Sequence, residues 1–328
     1  MKLEALDSLT GFALLGPGYG DGEPLLITEL RAESLAPQLL YAAYESLGSE
    51  ARGYAGQRSR CSLEIQAAPS LEIQLDDSGY QGTIDQIRAS IAAGDVYQVN
   101  YSLRARLPRM AGSALANALC RRGVPRYFAW VRFPEGDELI SASPECFFSI
   151  DGGRIRCEPM KGTSAPGPDR EAELSASEKD RAELFMITDL MRNDLIPICA
   201  PGSVRVLNPR RFLRLPYAVQ AVSDVEGQLN PGVTARDALA ALHPGGSITG
   251  APKRAAMNLI TALEKSPRGA YCGSLGFLEQ DKARFSILIR TAQRDEAGWS
   301  YGVGGGIVWQ SDAVGERREL EVKLGALR

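Results

Sequence analysis

The sequence predicts an α+β fold, and three observations carry that prediction. Apolar runs of strand length come in long successions separated by glycine, proline and aspartate turns. Helical patterns stand between these groups instead of after each strand, and no strand–helix–strand alternation of a parallel sheet can be traced. In chain order, the first eighty residues hold FALLG, LLITEL, LLYAAY and SLEIQAAPSLEIQL. These read as strands or short helices, the last as two alternating strands split at Pro69. Asp76-Asp77-Ser78-Gly79 reads as a turn or short linker, so residues 1–80 form a short, loosely specified amino-terminal part of the same fold and 81–328 the informative region. Thr83 and Gln86 make a capping-box pattern opening a helix with Ile84, Ile87 and Ile91 on one stripe, stopped at Gly94.

VYQVNYSLRARL, FAWVRF, ELISAS, CFFSI and RIRCEP follow as strands, with Asp151-Gly152-Gly153 as a hairpin turn. A helix spans Ser177 to about Ile196, with Ser177 and Asp180 in its cap. Strands VRVL and AVQAVSDVEG, a helix around TARDALAAL, a glycine-rich turn and a helix from about Pro252 come next. The last third, GSLGFLE, ARFSILIRTAQRD and WSYGVGGGIV, reads as an antiparallel meander, and GERRELEVKLGAL closes the chain as a charged helix.

Composition narrows the function. The 328 residues carry 37 Lys+Arg against 40 Asp+Glu, a net charge of −3 that argues against a nucleic-acid partner. The six cysteines form no C-x-x-C pair, which argues against a zinc ribbon or disulfide framework and for a reducing cytoplasm. No run reaches the ~18 apolar residues of a membrane span, and the acidic start does not suit a signal peptide. A single histidine, His243, excludes a His-rich metal site. A soluble, cytoplasmic chain is expected.

Several residues look chemically placed. Glu183 lies on or beside the apolar stripe of its helix, one turn after Asp180; the pair is either a cap with a salt bridge or half of a metal site. Glu316 and Glu319 on the closing helix, followed by Lys323, are either a solvated face or the other half, and an all-carboxylate set would favour a hard cation such as Mg²⁺. HPGGSITGAPK (243–253) offers backbone N–H groups to an anion but is not a Walker A loop, and YGVGGGI does not fit a dinucleotide fingerprint. The run Gly304-Gly305-Gly306 within a strand pattern means a bulge or the close approach of a ligand. Arg290, on the strand face of Ser286 and Leu288, would fork onto a carboxylate from protein or substrate. Lys161, in the turn EPMKGTSAP, is a surface charge or an amine nucleophile; Glu145 is a strand-end salt bridge or a proton donor.

Together these segments resemble the chorismate-utilising enzymes, the family of anthranilate, aminodeoxychorismate, isochorismate and salicylate synthases. The resemblance covers roughly 83–328, through GDVYQVNYS, SPECFF, PMKGT, DRAELFMITDLMRNDL, GGSITGAPK, RGAYCGSLGF, IRTA, VGGGIV and a final E-x-x-E-x-x-x-K, in that order. It implies two packed antiparallel sheets with helices outside and the site in the cleft between them. It makes Lys161 the nucleophile and Glu145 the general acid, Glu183 and Glu319 the Mg²⁺ ligands, and Asp180 and Glu316 their support. Gln98, Gly162, Thr163, Ser247, Thr249, Tyr271, Arg290, Gly304, Gly305, Gly306 and Lys323 would surround chorismate, with Arg290 and Tyr271 on the enolpyruvyl carboxylate.

Two positions separate the members. The water-using synthases carry a lysine at the place of Gln98, and anthranilate synthases usually carry alanine at that of Lys161; Gln98 with Lys161 is the aminodeoxychorismate-forming pattern. The resemblance thus implies Mg²⁺-dependent amination of chorismate at C4, towards 4-aminobenzoate and folate, with anthranilate formation or chorismate binding without turnover as the rivals. Gln220 replaces the histidine associated with aromatising members, Arg317 replaces an aromatic, and the absence of an L-L-E-S stretch predicts no tryptophan regulation. No G-x-C-x-G elbow is present, so ammonia is expected to come free or from a glutamine amidotransferase subunit, and conversion to 4-aminobenzoate from a separate lyase.

Overall fold

The computed structural model describes every residue except 21, 47, 69, 165, 166, 168, 169, 216, 217, 326 and 328. The amino-terminal region supplies β1 (Phe12–Leu15), β2 (Leu25–Ala32), β3 (Leu39–Ala42), β4 (Arg52–Arg60) and β5 (Gln74–Leu75). Helix α1 (Tyr80–Ala92) leads to β6 (Gln98–Arg106), and α2 (Gly112–Leu119) to β7 (Tyr127–Arg132), β8 (Glu138–Ser143), β9 (Cys146–Asp151), β10 (Arg154–Cys157) and β11 (Met160–Ser164). Helices α3 (Arg170–Ala176) and α4 (Glu178–Leu195) precede the long hairpin of β12 (Arg205–Leu215) and β13 (Ala218–Gln228). After α5 (Ala235–Leu242) come β14 (Gly250–Ala251), α6 (Lys253–Leu263), β15 (Ser274–Glu279), β16 (Lys282–Ile287), β17 (Thr291–Asp295), β18 (Gly298–Ile307) and α7 (Ala313–Leu324).

These named strands pair antiparallel along one path that folds back on itself. One sheet runs from β12 and β11 on either side of β13 through β10, β9, β16 and β15 to β3; the other runs from β2 through β1, β7, β8, β17 and β18 to β6. Strand β4 joins the two: Arg52, Gly53 and Tyr54 pair with β3, and Tyr54 to Arg60 with β2. The fold-back is tight, since a Cβ on Gly53 would lie 2.2 Å from the Glu33 carbonyl oxygen. Alternation on β7 shows why both sheet faces are apolar there. Phe128 and Trp130 enter the larger core, whereas Tyr127, Ala129 and Val131 enter the smaller one.

Most of the expected elements are present; β4 was not expected, Lys161 stands on β11 where a turn was expected, and four further differences follow. Helix α1 starts at Tyr80 after Gly79, and Thr83 is no cap: its hydroxyl donates back to the Gly79 carbonyl one turn earlier. SLEIQAAPSLEIQL does not form two strands; among its described residues only a bridge at Glu64 and β5 pair, and Pro69 lies outside the described residues. ARFSILIRTAQRD breaks into β16 and β17, and Arg290 takes φ +51° in the break, so it shares no strand face with Ser286 and Leu288. Helices α2 and α3 were not expected. α2 is buried on almost every side, which leaves no polar stripe to betray a helical period.

Candidate active site

The turn between β8 and β9 carries Glu145, 4% exposed, with its backbone N–H donating to the Ser143 hydroxyl at 3.2 Å. The Ser247 hydroxyl donates to its carboxylate at 3.0 Å. Burial pushes this carboxyl up to about 7, against the downward pull of the Ser247 hydrogen bond and the Lys161 charge. Glu145 is therefore not a strand-end salt bridge. A carboxyl so buried and so shifted has the chemistry of a proton donor or acceptor near neutrality.

Lys161 stands on β11 where the pairing with β13 slips between Met160 and Thr163. Gly162 adopts φ +88°, and a Cβ there would sit 3.0 Å from the Asp180 side chain, so glycine serves both the bulge and the close approach of α4. Across the cleft, a Cβ on Gly306 would lie 2.9 Å from the Gln98 Nε2 and 3.2 Å from the Lys161 Nζ. The bare backbone of β18 is thus the place where the amine of one sheet meets the amide of the other. Gln98 is buried, yet neither polar atom of its side chain has a hydrogen-bond partner. A buried amide left so costs roughly 1–3 kcal/mol and marks a place for a polar ligand.

The register between β6 and β18 runs unbroken from Ser300 to Ile307, which excludes the bulge reading of the glycine run. On Gly305, a Cβ would come 3.3 Å from a Glu316 oxygen and 3.9 Å from one of Glu319. Lys323 donates to the Gly304 carbonyl at 2.6 Å and pairs with Glu319 at 2.8 Å, clamping α7 to the strand. Glu316 is buried and accepts from the Ser311 hydroxyl at 2.6 Å. Helix α4 begins at the cap Ser177, whose hydroxyl accepts the Asp180 N–H, and buries Leu184, Ile187, Met191 and Leu195. Glu183 is only half-buried beside that stripe.

Asp180 of α4 lies beside Gly162, next to Lys161, and Glu316 and Glu319 of α7 lie beside Gly305. Among the described residues, no three acidic, histidine or cysteine side chains converge as a ready metal cluster. What fits a hard cation is the donor chemistry: carboxylates on α4 and α7, with Glu316 turned to a glycine cradle that any side chain would fill.

The remaining expected residues have these surroundings. Thr163 pairs with Gln220, which is buried with an unpartnered Oε1. Thr249 is fully buried and spends its hydroxyl proton on the Gly245 carbonyl at 3.0 Å. Tyr271 packs over the bare Gly302, in a cavity of about 100 Å³ that Arg268, Glu264 and Ser102 also line. Arg290 is held by its carbonyl, which accepts the Ala142 N–H at 3.0 Å, and its charge acts on the Tyr301 hydroxyl. His243 is structural: its ring bonds the Ser274 hydroxyl and the Ala43 carbonyl, and burial lowers its basicity. The Ser247–Glu145 pair and Arg268 were not foreseen in the sequence. No local spacing signals the first, whereas Arg268 lies inside the RGAYCG motif.

The chorismate binding enzyme family matches residues 32–328. Anthranilate synthase component 1 1 of Haloarcula marismortui is 40% identical over 252 residues, covering 74% of this chain and 51% of that protein. Aminodeoxychorismate synthase component 1 of Klebsiella aerogenes is 40% identical over 284 residues, covering 81% and 62%. The crystal structure of anthranilate synthase component I from Streptococcus pneumoniae superposes with a TM-score of 0.71 at 29% identity, covering 81% and 61%. The chain spans less than two thirds of the length of these relatives.

Proposed function

The chain belongs to the chorismate binding enzymes, and from that premise we propose that it is an aminodeoxychorismate synthase component I, which aminates chorismate at C4. The observation that carries this reading is the meeting of Lys161 and Gln98 at Gly306, within the electrostatic reach of Glu145. An amine beside a proton donor suits displacement through an allylic system. The Lys161 nitrogen bonds to C2, both ring double bonds shift one bond along the ring towards C4, and the C4–O bond breaks as Glu145 passes its proton to the departing hydroxyl, which leaves as water. Ammonia then bonds to C4, both double bonds shift back to their first positions, the C2–N bond breaks to return Lys161 as the free amine, and the new ammonium gives its surplus proton to the Glu145 carboxylate. Atoms and charge balance over the cycle.

Glu183 and Glu319 would hold Mg²⁺, supported by Asp180 and Glu316. The ion would supply charge for the ring carboxylate. Arg290 and Tyr271 orient the enolpyruvyl carboxylate, and Gly304–Gly306 let the ring lie against backbone. Thr163, Ser247 and Thr249 add hydroxyl contacts, and Lys323 holds the α7 carboxylates in place. Ammonia arrives free or from a glutamine amidotransferase subunit, and the product would feed 4-aminobenzoate and folate synthesis.

Mass spectrometry of the protein with chorismate, with and without ammonia, tests the nucleophile. The expected result is an adduct in the absence of ammonia that Lys161→Ala abolishes. Full turnover by Lys161→Ala overturns the assignment. Product analysis separates the rival: fluorescent anthranilate would refute C4 amination, and 4-aminobenzoate formed only with an added lyase supports it.

A further inference from the structure

We propose that Arg268 is a positioning residue for the proton donor: it locks the Ser247–Thr249 turn against β6 and so sets the hydrogen bond that Ser247 gives Glu145. The inference rests on the reading of Glu145 as general acid. Arg268 is 4% exposed, and its guanidinium divides its donors among three elements. Nη1 donates to the Ile248 carbonyl at 2.8 Å, in the middle of the turn. Nη2 reaches the Asn100 carbonyl on β6 and the Glu264 carboxylate, which Nε also meets at 2.9 Å. The ring of Tyr44 stacks at 4.3 Å from the guanidinium carbon.

Asn100 closes the arrangement from the strand side. Its N–H donates to the Thr249 carbonyl at 2.8 Å, and its side-chain amide reaches the Ser247 carbonyl at 3.5 Å. Every carbonyl from Ser247 to Thr249 is therefore taken by Arg268 or Asn100, and Arg268 ties the middle of the turn to the Asn100 carbonyl. Glu264 in turn accepts the Ser102 N–H and hydroxyl, each at 2.8 Å, opposite Gly304. A flat fork with five donors suits this task; a lysine ammonium cannot span three acceptors fixed in a plane. A plain core ion pair between Arg268 and Glu264 would not need the Ile248 and Asn100 bonds.

Around Glu145, the polar and titratable neighbours are Ser143, Ser247, Lys161 and the Cys272 thiol, which feels its charge. The Ser247 bond pulls the carboxyl down, so loosening the turn lets it rise. Glu145 must be protonated to act, so the alkaline limb of the kcat/KM–pH profile moves up. The test compares Arg268→Lys, Ser247→Ala and the double variant, with thermal melts in parallel. A hydrogen bond of ordinary strength predicts a rise of about 0.5–1 pH unit in Arg268→Lys, a similar one in Ser247→Ala, and no further rise in the double variant. The paired variant Arg268→Met/Glu264→Leu, which removes both buried charges, is expected to fold and to show the same rise.

A lowered melting temperature with an unmoved limb overturns the proposal, as does additivity of the two shifts. Failure of both Arg268 variants to fold overturns it too, by assigning Arg268 to the core alone. A wild-type enzyme whose profile lacks the alkaline limb, or that forms no 4-amino-4-deoxychorismate, sinks the underlying reading of Glu145 instead.

Discussion

Glu145 sits where water would stabilise its charge but hardly reaches, and that has a cost in stability as well as a use in catalysis. The unfolded chain would titrate this group near 4.5, the folded chain at about 7. Between those values the native state holds the proton that the unfolded state has lost, so stability falls as pH rises through this window. Above it the full penalty stands, on the order of 3 kcal/mol. Glu145→Gln should therefore be inactive yet more stable than the wild type at pH 8, with the gap closing below about pH 4.5. Urea titrations at both pH values check this, and equal stability at pH 8 would contradict a carboxyl whose burial outweighs its hydrogen bond from Ser247. Gly306 makes a second residue-scale case. A methyl group there would push on the ends of Gln98 and Lys161, which are flexible enough to yield. Gly306→Ala should fold normally and lose roughly 10²-fold in kcat through misplacement of the amine. Unchanged kcat would remove Lys161 from the reaction centre.

Helices α4 and α7 show what an element adds to its residues. Each begins at a capped end, Ser177 for α4 and Asp312 for α7, where the Asp312 side chain accepts the Gly315 N–H. Asp312→Ala should cost about 1 kcal/mol of stability, read as a lowered denaturation midpoint. Because α7 carries Glu316, Glu319 and Lys323, the same change should weaken the response to Mg²⁺. Conservative changes in the supporting carboxylates, Asp180→Asn and Glu316→Gln, should raise the Mg²⁺ concentration for half-maximal activity about 10–100-fold. No change in either would detach these helices from a metal.

The elements also show which parts of the fold were legible in sequence. α4 announced itself through its cap and apolar stripe, α7 through the spacing of its charges, and β6 through its alternation. α2 did not, because a helix buried all round has no polar face, and β4 was missed because its outer half is polar and exposed. Arg290 was misplaced because an apolar run continues smoothly across a chain reversal that only its positive φ reveals. The ordered motifs marked the site residues singly. The contacts between them, such as Ser247 with Glu145 and Arg268 with Ile248, join segments far apart in the chain and leave no trace in spacing.

At the scale of the whole molecule, the site exists because two sheets are held face to face, and residues 1–75 do much of the holding. β1 pairs with β7, β3 with β15, and β4 ties the two sheets together. Phe12, Leu14 and Leu40 enter the larger core, and Tyr19, Ile27, Leu39 and Tyr54 the smaller one. Removing this segment would bare the edges of β7 and β15, unpaired strand edges being templates for aggregation, and would open both cores to water. The fragment 81–328 contains every residue assigned to chemistry and should nevertheless fail as an enzyme. It should lack a cooperative thermal transition, bind hydrophobic dyes and associate, whereas the full chain melts in one step. Calorimetry with size-exclusion chromatography of both chains decides it. A monomeric fragment that melts cooperatively would show that 1–80 is an appendage, and that the geometry between Lys161 and Gly306 is fixed without it.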